Sequence, residues 1–138
     1  MDEHITLRFD WDDVSGSAVI EILGLNSMKL SDGSASWDEV AICIDDGSIL
    51  LSVEPDTDQI IITREGKPSG NGWEPIPSLA FSKGCVLGWC WVGINSQGYQ
   101  DSFTMAFGDV VPDALQPRLT FLAEASSLSC FDLTPHRA

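Results

Sequence analysis

Carboxylates are the side chains of this 138-residue chain with the clearest chemical potential. Asp56 and Asp58 flank a single threonine, and a pair of that kind, or Asp101 with Glu124, does acid–base work when its separation is right. Asp45-Asp46 and Asp56-x-Asp58 also supply the hard oxygen ligands that calcium prefers, but the spacing of a twelve-residue calcium loop is missing. Aspartate in such short clusters more commonly bonds its own backbone in turns, so no metal site is expected.

Other chemistries lack their residues. The two histidines, His4 and His136, stand near the chain ends, which takes the usual general base out of the interior. Four cysteines at positions 43, 85, 90 and 130 contain one close pair, Cys85-x4-Cys90, too few for a zinc site, and are expected as free thiols. No phosphate-binding loop, dinucleotide-binding glycine pattern or HExxH motif occurs, so no cofactor is expected and catalytic residues are not assigned.

The densest polar and aromatic stretch is GWCWVGINSQGYQD, residues 88–101. Asn95-Ser96-Gln97-Gly98 fits a type I turn closed by a left-handed glycine. With Asn95 facing Tyr99, this register sets Asp101 opposite Gly93, Phe103 opposite Trp91, Met105 opposite Trp89 and Phe107 opposite Leu87. The tryptophans then belong to the core, and a polar notch at Asp101, Trp91, Tyr99 and Asn95 is the candidate ligand site. Asp101 on an aromatic face needs a hydrogen-bond donor.

Strands position these groups. TLRFD (6–10) alternates; SAVIEIL (17–23) is β-branched and bracketed by Gly16 and Gly24. EVAICIDDGSILLSVE places Asp46-Gly47 between two apolar runs, a hairpin signal pairing Ile44 with Ile49, Ile42 with Leu51 and Val40 with Val53. Its second face, with Glu39, Asp45, Ser48, Ser52 and Glu54, is expected to be wet. IIITRE (60–65) continues the meander, and further strands are predicted at 85–94, 99–107, 118–124 and 127–133. Loops are expected at 25–36 and in the Pro/Gly-rich segment 66–78, with short helices within 10–16, 76–83 or 112–116. The expectation is one mainly β domain over 1–138, an antiparallel meander forming a partly closed barrel or a sandwich.

The pattern G-W-x-W-x-x-x-N-x-x-G-Y-x-D is preceded by an acidic D-T-D-Q-I segment, Asp56 to Ile60, and followed by E-A-S-S, Glu124 to Ser127. In these features, over roughly residues 37–133, the chain resembles a small bacterial family known only as a domain of unknown function. The resemblance implies a bacterial origin and carries no activity and no catalytic residues.

A formal net charge of −14 argues against nucleic acid, which requires clustered Lys and Arg. Residues 1–69 hold fifteen of the acids against four bases. With no long apolar run and no signal-peptide pattern, a cytoplasmic protein with no membrane contact is expected. Small size, acidity and the missing histidine favour a non-enzymatic, protein-binding domain, such as an inhibitor or immunity protein. Its acidic face, Asp45, Asp46, Asp56 and Asp58, would meet a basic protein. The alternative is a carboxylate-based enzyme or small-ligand binder at the Asp101 notch; a homodimer through a sheet edge is a third option.

Overall fold

A computed structural model of the chain describes residues 6–133. Along it run β1 (Glu21–Leu25), β2 (Met28–Lys29), β3 (Ala35–Ser36), β4 (Glu39–Ile44), β5 (Gly47–Val53) and β6 (Ile60–Glu65). These are followed by β7 (Trp73–Pro75), β8 (Leu87–Ile94), β9 (Gln100–Phe107), β10 (Leu119–Glu124) and β11 (Ser127–Asp132). Short 3₁₀ helices occupy Trp11–Asp13, Pro77–Ser82 and Asp113–Leu115, one in each of the three windows expected for them.

The strands form a five-stranded sheet in the order β6-β5-β4-β1-β7, a four-stranded sheet β11-β10-β9-β8, and the small β2-β3 hairpin. Their ladders are antiparallel and the sheets stay open, so the arrangement is sandwich-like rather than a closed barrel. Ile42, Ile49, Leu51 and Ile62 from one sheet and Phe103, Met105, Phe121 and Leu128 from the other are fully buried in one apolar cluster. Two isolated bridges, Ala18 with Val86 and Trp37 with Leu128, tie the sheets at their corners.

The β4–β5 hairpin keeps its predicted faces but not its register. Val40 pairs with Leu51, Ile42 with Ile49 and Ile44 with Gly47, leaving Asp45-Asp46 as the loop. The slip is two residues, an even number, so each side chain stays on its expected side. Gly47 at φ +141° sits where a Cβ would come 2.5 Å from the Glu65 carbonyl oxygen, which reserves the position for glycine. The expected wet face is corrected: Ala41, Cys43 and Ser48 on it are buried. The chain after β6 folds back there, with Ser48 Oγ donating to the Gly66 carbonyl at 2.8 Å.

Three further expectations change. TLRFD forms no full strand; Leu7 makes one parallel bridge to Ile62, flanked by Arg8 N–H to Ile62 O and Ile62 N–H to Thr6 O. SAVIEIL starts as strand only at Glu21, because Val19 N–H goes to Cys85 O and Gly16 N–H to Leu87 O in the opposite sheet. The predicted loops 25–36 and 66–78 contain β2, β3 and β7.

Two bulges overturn the register expected for β8 and β9 between them, while Leu87 pairs with Phe107 as expected. Near the turn, Asn95 N–H does reach Tyr99 O at 2.9 Å and Gly98 is left-handed at φ +85°. Ile94 then pairs with Gln100 but Gly93 with Ser102, so Asp101 is the extra residue of a bulge and does not face Gly93. From there Val92 faces Phe103, Trp91 faces Thr104 and Cys90 faces Met105. A one-residue slip moves every side chain to the other face, so Trp91 leaves the core row and Trp89 is 59% exposed. The second bulge sets Gly88 and Trp89 against Ala106; a Cβ on Gly88 would lie 2.8 Å from the Ala114 carbonyl oxygen. Trp11, partly buried, packs against the core at Phe103, with ring centroids 5.6 Å apart and its Nε1 donating to Gly88 O at 2.7 Å.

Candidate functional site

Each stretch of the hairpin signature and its two flanking motifs makes a hydrogen bond within the fold. Asn95 Oδ1 accepts from the amides of Gln97 at 2.9 Å and Tyr99 at 3.2 Å, while its Nδ2 donates to Asp101 Oδ2 at 3.1 Å. The donor that Asp101 needs is therefore Asn95. Gln100 N–H donates to Gln59 Oε1 at 3.1 Å, and Gln100 Oε1 accepts from Thr6 N and Thr6 Oγ. Tyr99 is 40% exposed, and Trp91 stands opposite Thr104 on the outer side of the sheet.

The D-T-D-Q-I and E-A-S-S segments meet in space. Ala125 and Ser126 form the two-residue turn between β10 and β11, both left-handed at φ 50° and 64°. Such turns normally use Asn and Gly. Here the Asp58 carboxylate accepts both turn amides, Ala125 N–H at 3.2 Å and Ser126 N–H at 3.0 Å. Asp58 is itself left-handed at φ 56°, a conformation that aspartate tolerates better than most residues.

The four carboxylates of the expected acidic face fall into two groups. Asp45 and Asp46 form the β4–β5 turn, where Asp46 pairs with Arg64 at 3.1 Å. Asp56 and Asp58 lie past the other end of β5, about 20 Å away at strand spacing.

The acids that do converge line a cleft of about 660 Å³ between the β2–β3 hairpin, β7 and β11. Asp32, Glu74 and Glu124 line it, with no lysine, arginine or histidine among the described residues that line it. Trp37, Ile76 and Cys130 contribute apolar and thiol surface, with Leu30 and the 48%-exposed Phe131 beside them. Asp32 Oδ1 accepts from Ser34 Oγ at 2.6 Å and Ser34 N at 2.9 Å, and these bonds hold its carboxyl below the ordinary carboxylate range. Asp32 therefore carries its negative charge throughout the neutral range.

Trp37 gives the cleft its rigid base. Its backbone bonds Leu128 in both directions, and its ring packs where a Cβ on Gly24 would come within 2.2 Å. Gly24 is therefore a position of close approach between β1 and the indole. The site takes residues from four separated segments, of which the sequence analysis marked only Glu124 as a candidate. The signal available for the others was a tryptophan and a glycine, each ordinary by itself.

The thiols offer little nucleophilic chemistry. All four cysteines are free. Burial raises the Cys43 and Cys130 thiols and pushes Cys90 up to about 11, so these three stay protonated. Among the described residues no three His, Cys, Asp or Glu side chains come together as metal ligands, and no helix is long and apolar enough to cross a membrane. His4 and His136 lie outside the described residues.

Residues 1–137 fit the model of a family of unknown function (DUF6334). No curated protein and no solved structure matches the chain.

Proposed function

The chain belongs to that family, and we propose that it is a non-enzymatic domain that binds a basic partner protein, with the acidic cleft as its docking groove. One observation carries this reading: three carboxylates line a concave, partly apolar surface with no lysine, arginine or histidine among its described residues. A basic side chain entering there gains charge complementarity at Asp32, Glu74 and Glu124 and apolar contact at Trp37 and Phe131. The overall charge of −14 adds long-range attraction for the same partner. An inhibitor or immunity protein of a bacterial cytoplasm, neutralising a basic toxin or enzyme, is the concrete form of this proposal. The engagement of Asp101 by Asn95 supports a structural reading of that carboxylate over the small-ligand alternative.

The test uses immobilised protein against a panel of basic nucleases, titrated from about 0.05 to about 0.5 M salt. Binding that weakens at least tenfold with salt, and is lost in Glu74→Lys and Glu124→Lys, is the expected result. Binding indifferent to both salt and these substitutions, or absent across the panel, overturns the proposal.

A further inference from the structure

We infer that Asn71 is a site of spontaneous covalent modification: its side-chain amide cyclises onto the Gly72 nitrogen, and the isoaspartyl product loosens β7.

The chain has three asparagines, Asn26, Asn71 and Asn95, and the fold restrains two of them. Asn26 Nδ2 donates to Asp38 Oδ2 at 2.9 Å, and the Asn95 side chain makes the three bonds that set its turn. Asn71 is exposed in the turn before β7, and its side chain bonds no described residue. It is also the asparagine followed by glycine. A glycine nitrogen is the least hindered nucleophile that the main chain presents to the side chain before it, and its attack within one chain closes an unstrained five-membered ring.

The fold keeps that nitrogen available. The Gly72 carbonyl accepts from Asn26 N–H at 3.0 Å, whereas the Gly72 N–H donates to no described residue. A more shielding residue does not fit in place of the glycine. Its φ is +95°, and a Cβ would lie 2.7 Å from Asn26 Oδ1 and 3.1 Å from Leu25 Cδ1. The two Asp-Gly pairs, which lead to the same ring, are held. Gly33 N–H donates to Leu30 O at 3.0 Å with Asp32 bonded to Ser34, and Asp46 pairs with Arg64.

In the first step the Gly72 nitrogen bonds to Asn71 Cγ. The side-chain nitrogen departs as ammonia, taking the Gly72 amide proton, and a succinimide remains. Water then opens the ring at either carbonyl. Opening at Cγ gives aspartate; opening at the main-chain carbonyl gives isoaspartate, with the peptide link routed through Cβ and Cγ. Each product takes one oxygen from water and adds one negative charge. Isoaspartate also lengthens the main chain by one methylene, directly before the Gly72 carbonyl that holds Asn26. The ladder beyond is short: Trp73 pairs with Leu25, Glu74 with Gly24 and Pro75 with Leu23. A displaced Gly72 therefore frees the start of β7, the strand that carries Glu74 into the cleft.

The test holds the whole protein, folded and in urea, at mildly alkaline pH in ¹⁸O-labelled water and follows the peptides of Asn26, Asn71 and Asn95 by mass spectrometry. In the folded protein Asn71 should take up heavy oxygen at least tenfold faster than Asn26 or Asn95, and less than tenfold slower than in urea. A folded-state rate matched by Asn26 or Asn95, or suppressed tenfold or more by folding, overturns the site. The isoaspartyl form, purified by ion exchange and identified by resistance of residue 71 to an aspartate-specific protease, should exchange its Asn26 amide at least tenfold faster than fresh protein. Unchanged exchange overturns the link to β7. Asn71→Gln, whose ring closure needs six atoms, should stay unmodified and keep the Asn26 amide protected through the same incubation. Loss of protection in that variant assigns the loosening to another lesion and overturns the link as well.

Discussion

Replacing Asp58 by asparagine should destabilise the protein although no buried residue is touched. The carboxylate accepts two backbone amides, at 3.2 and 3.0 Å, from a turn whose central residues Ala125 and Ser126 are both left-handed without being glycine. Each left-handed non-glycine residue costs about 1–2 kcal/mol, so that turn needs outside support. A charged acceptor contributes about 1.5–3 kcal/mol per bond in a buried setting and roughly a third of that at an exposed turn. Asp58→Asn keeps the left-handed tolerance and one acceptor oxygen but loses the charge and one acceptor. The expected loss is about 1 kcal/mol, a fall in Tm of about 3–4 °C for a domain of this size. Asp58→Ala removes both bonds and places a Cβ-bearing, non-polar residue at φ 56°, for a loss of about 2–3 kcal/mol. Urea unfolding followed by tryptophan fluorescence measures both, with Asp56→Asn as the matched control. A loss for Asp58→Asn within about 0.3 kcal/mol of the control would refute the idea that this carboxylate holds the turn.

Four further outcomes follow from the same structure. Gly24→Ala places a Cβ within 2.2 Å of the Trp37 ring and should cost about 1–3 kcal/mol by overpacking, measured by thermal denaturation. Gly93→Ala should cost less than Gly24→Ala, because its clash is with the Ser102 hydroxyl, which can rotate away. Burial, followed by the charges of Asp38 and Glu65, raises the Glu39 carboxyl, so the folded state binds more protons than the unfolded one through the carboxylate range. Stability from this group is then present at low pH and lost as pH rises through that range; Glu39→Gln should stabilise at pH 7, with the gain vanishing toward pH 3 in parallel urea titrations. Cys90, raised to about 11, should be alkylated by iodoacetamide at pH 8 at least ~100-fold more slowly in the folded protein than in urea, as followed by peptide mass spectrometry.

Much of the fold was legible because period two is a local signal. The runs that became β4, β5, β6 and β8 to β11 alternate or cluster β-branched and aromatic residues between turn residues, and their positions differ from expectation by a residue or two at most. The turn at Asn95–Gly98 was equally local, since Asn95 Oδ1 bonds amides two and four residues away. The faces of β8 were not legible. They depend on whether Asp101 is paired or extruded, and that is decided by Ser102 seating against Gly93 and by the Ala114 carbonyl pressing on Gly88. The first contact lies across the hairpin and the second comes from the loop after β9, and each flips a run of side chains through a one-residue slip.

The candidate site divides the same way. Residue types alone determined that the chain is acidic, lacks an interior histidine and builds antiparallel sheets, because charge, residue count and alternation need no partner to be read. Tertiary structure alone decided which acids act together. Asp45-Asp46 and Asp56-x-Asp58 are neighbours in sequence, yet β5 holds the two pairs at opposite ends. Asp32, Glu74 and Glu124 are dozens of residues apart, yet they line one cleft. That cleft exists because Trp37 bonds β11 and packs on Gly24, while β3 turns away to pair with β2. Convergence of this kind comes from which strand edge pairs with which, and edge pairing is set by the packing of two sheets rather than by any stretch of sequence.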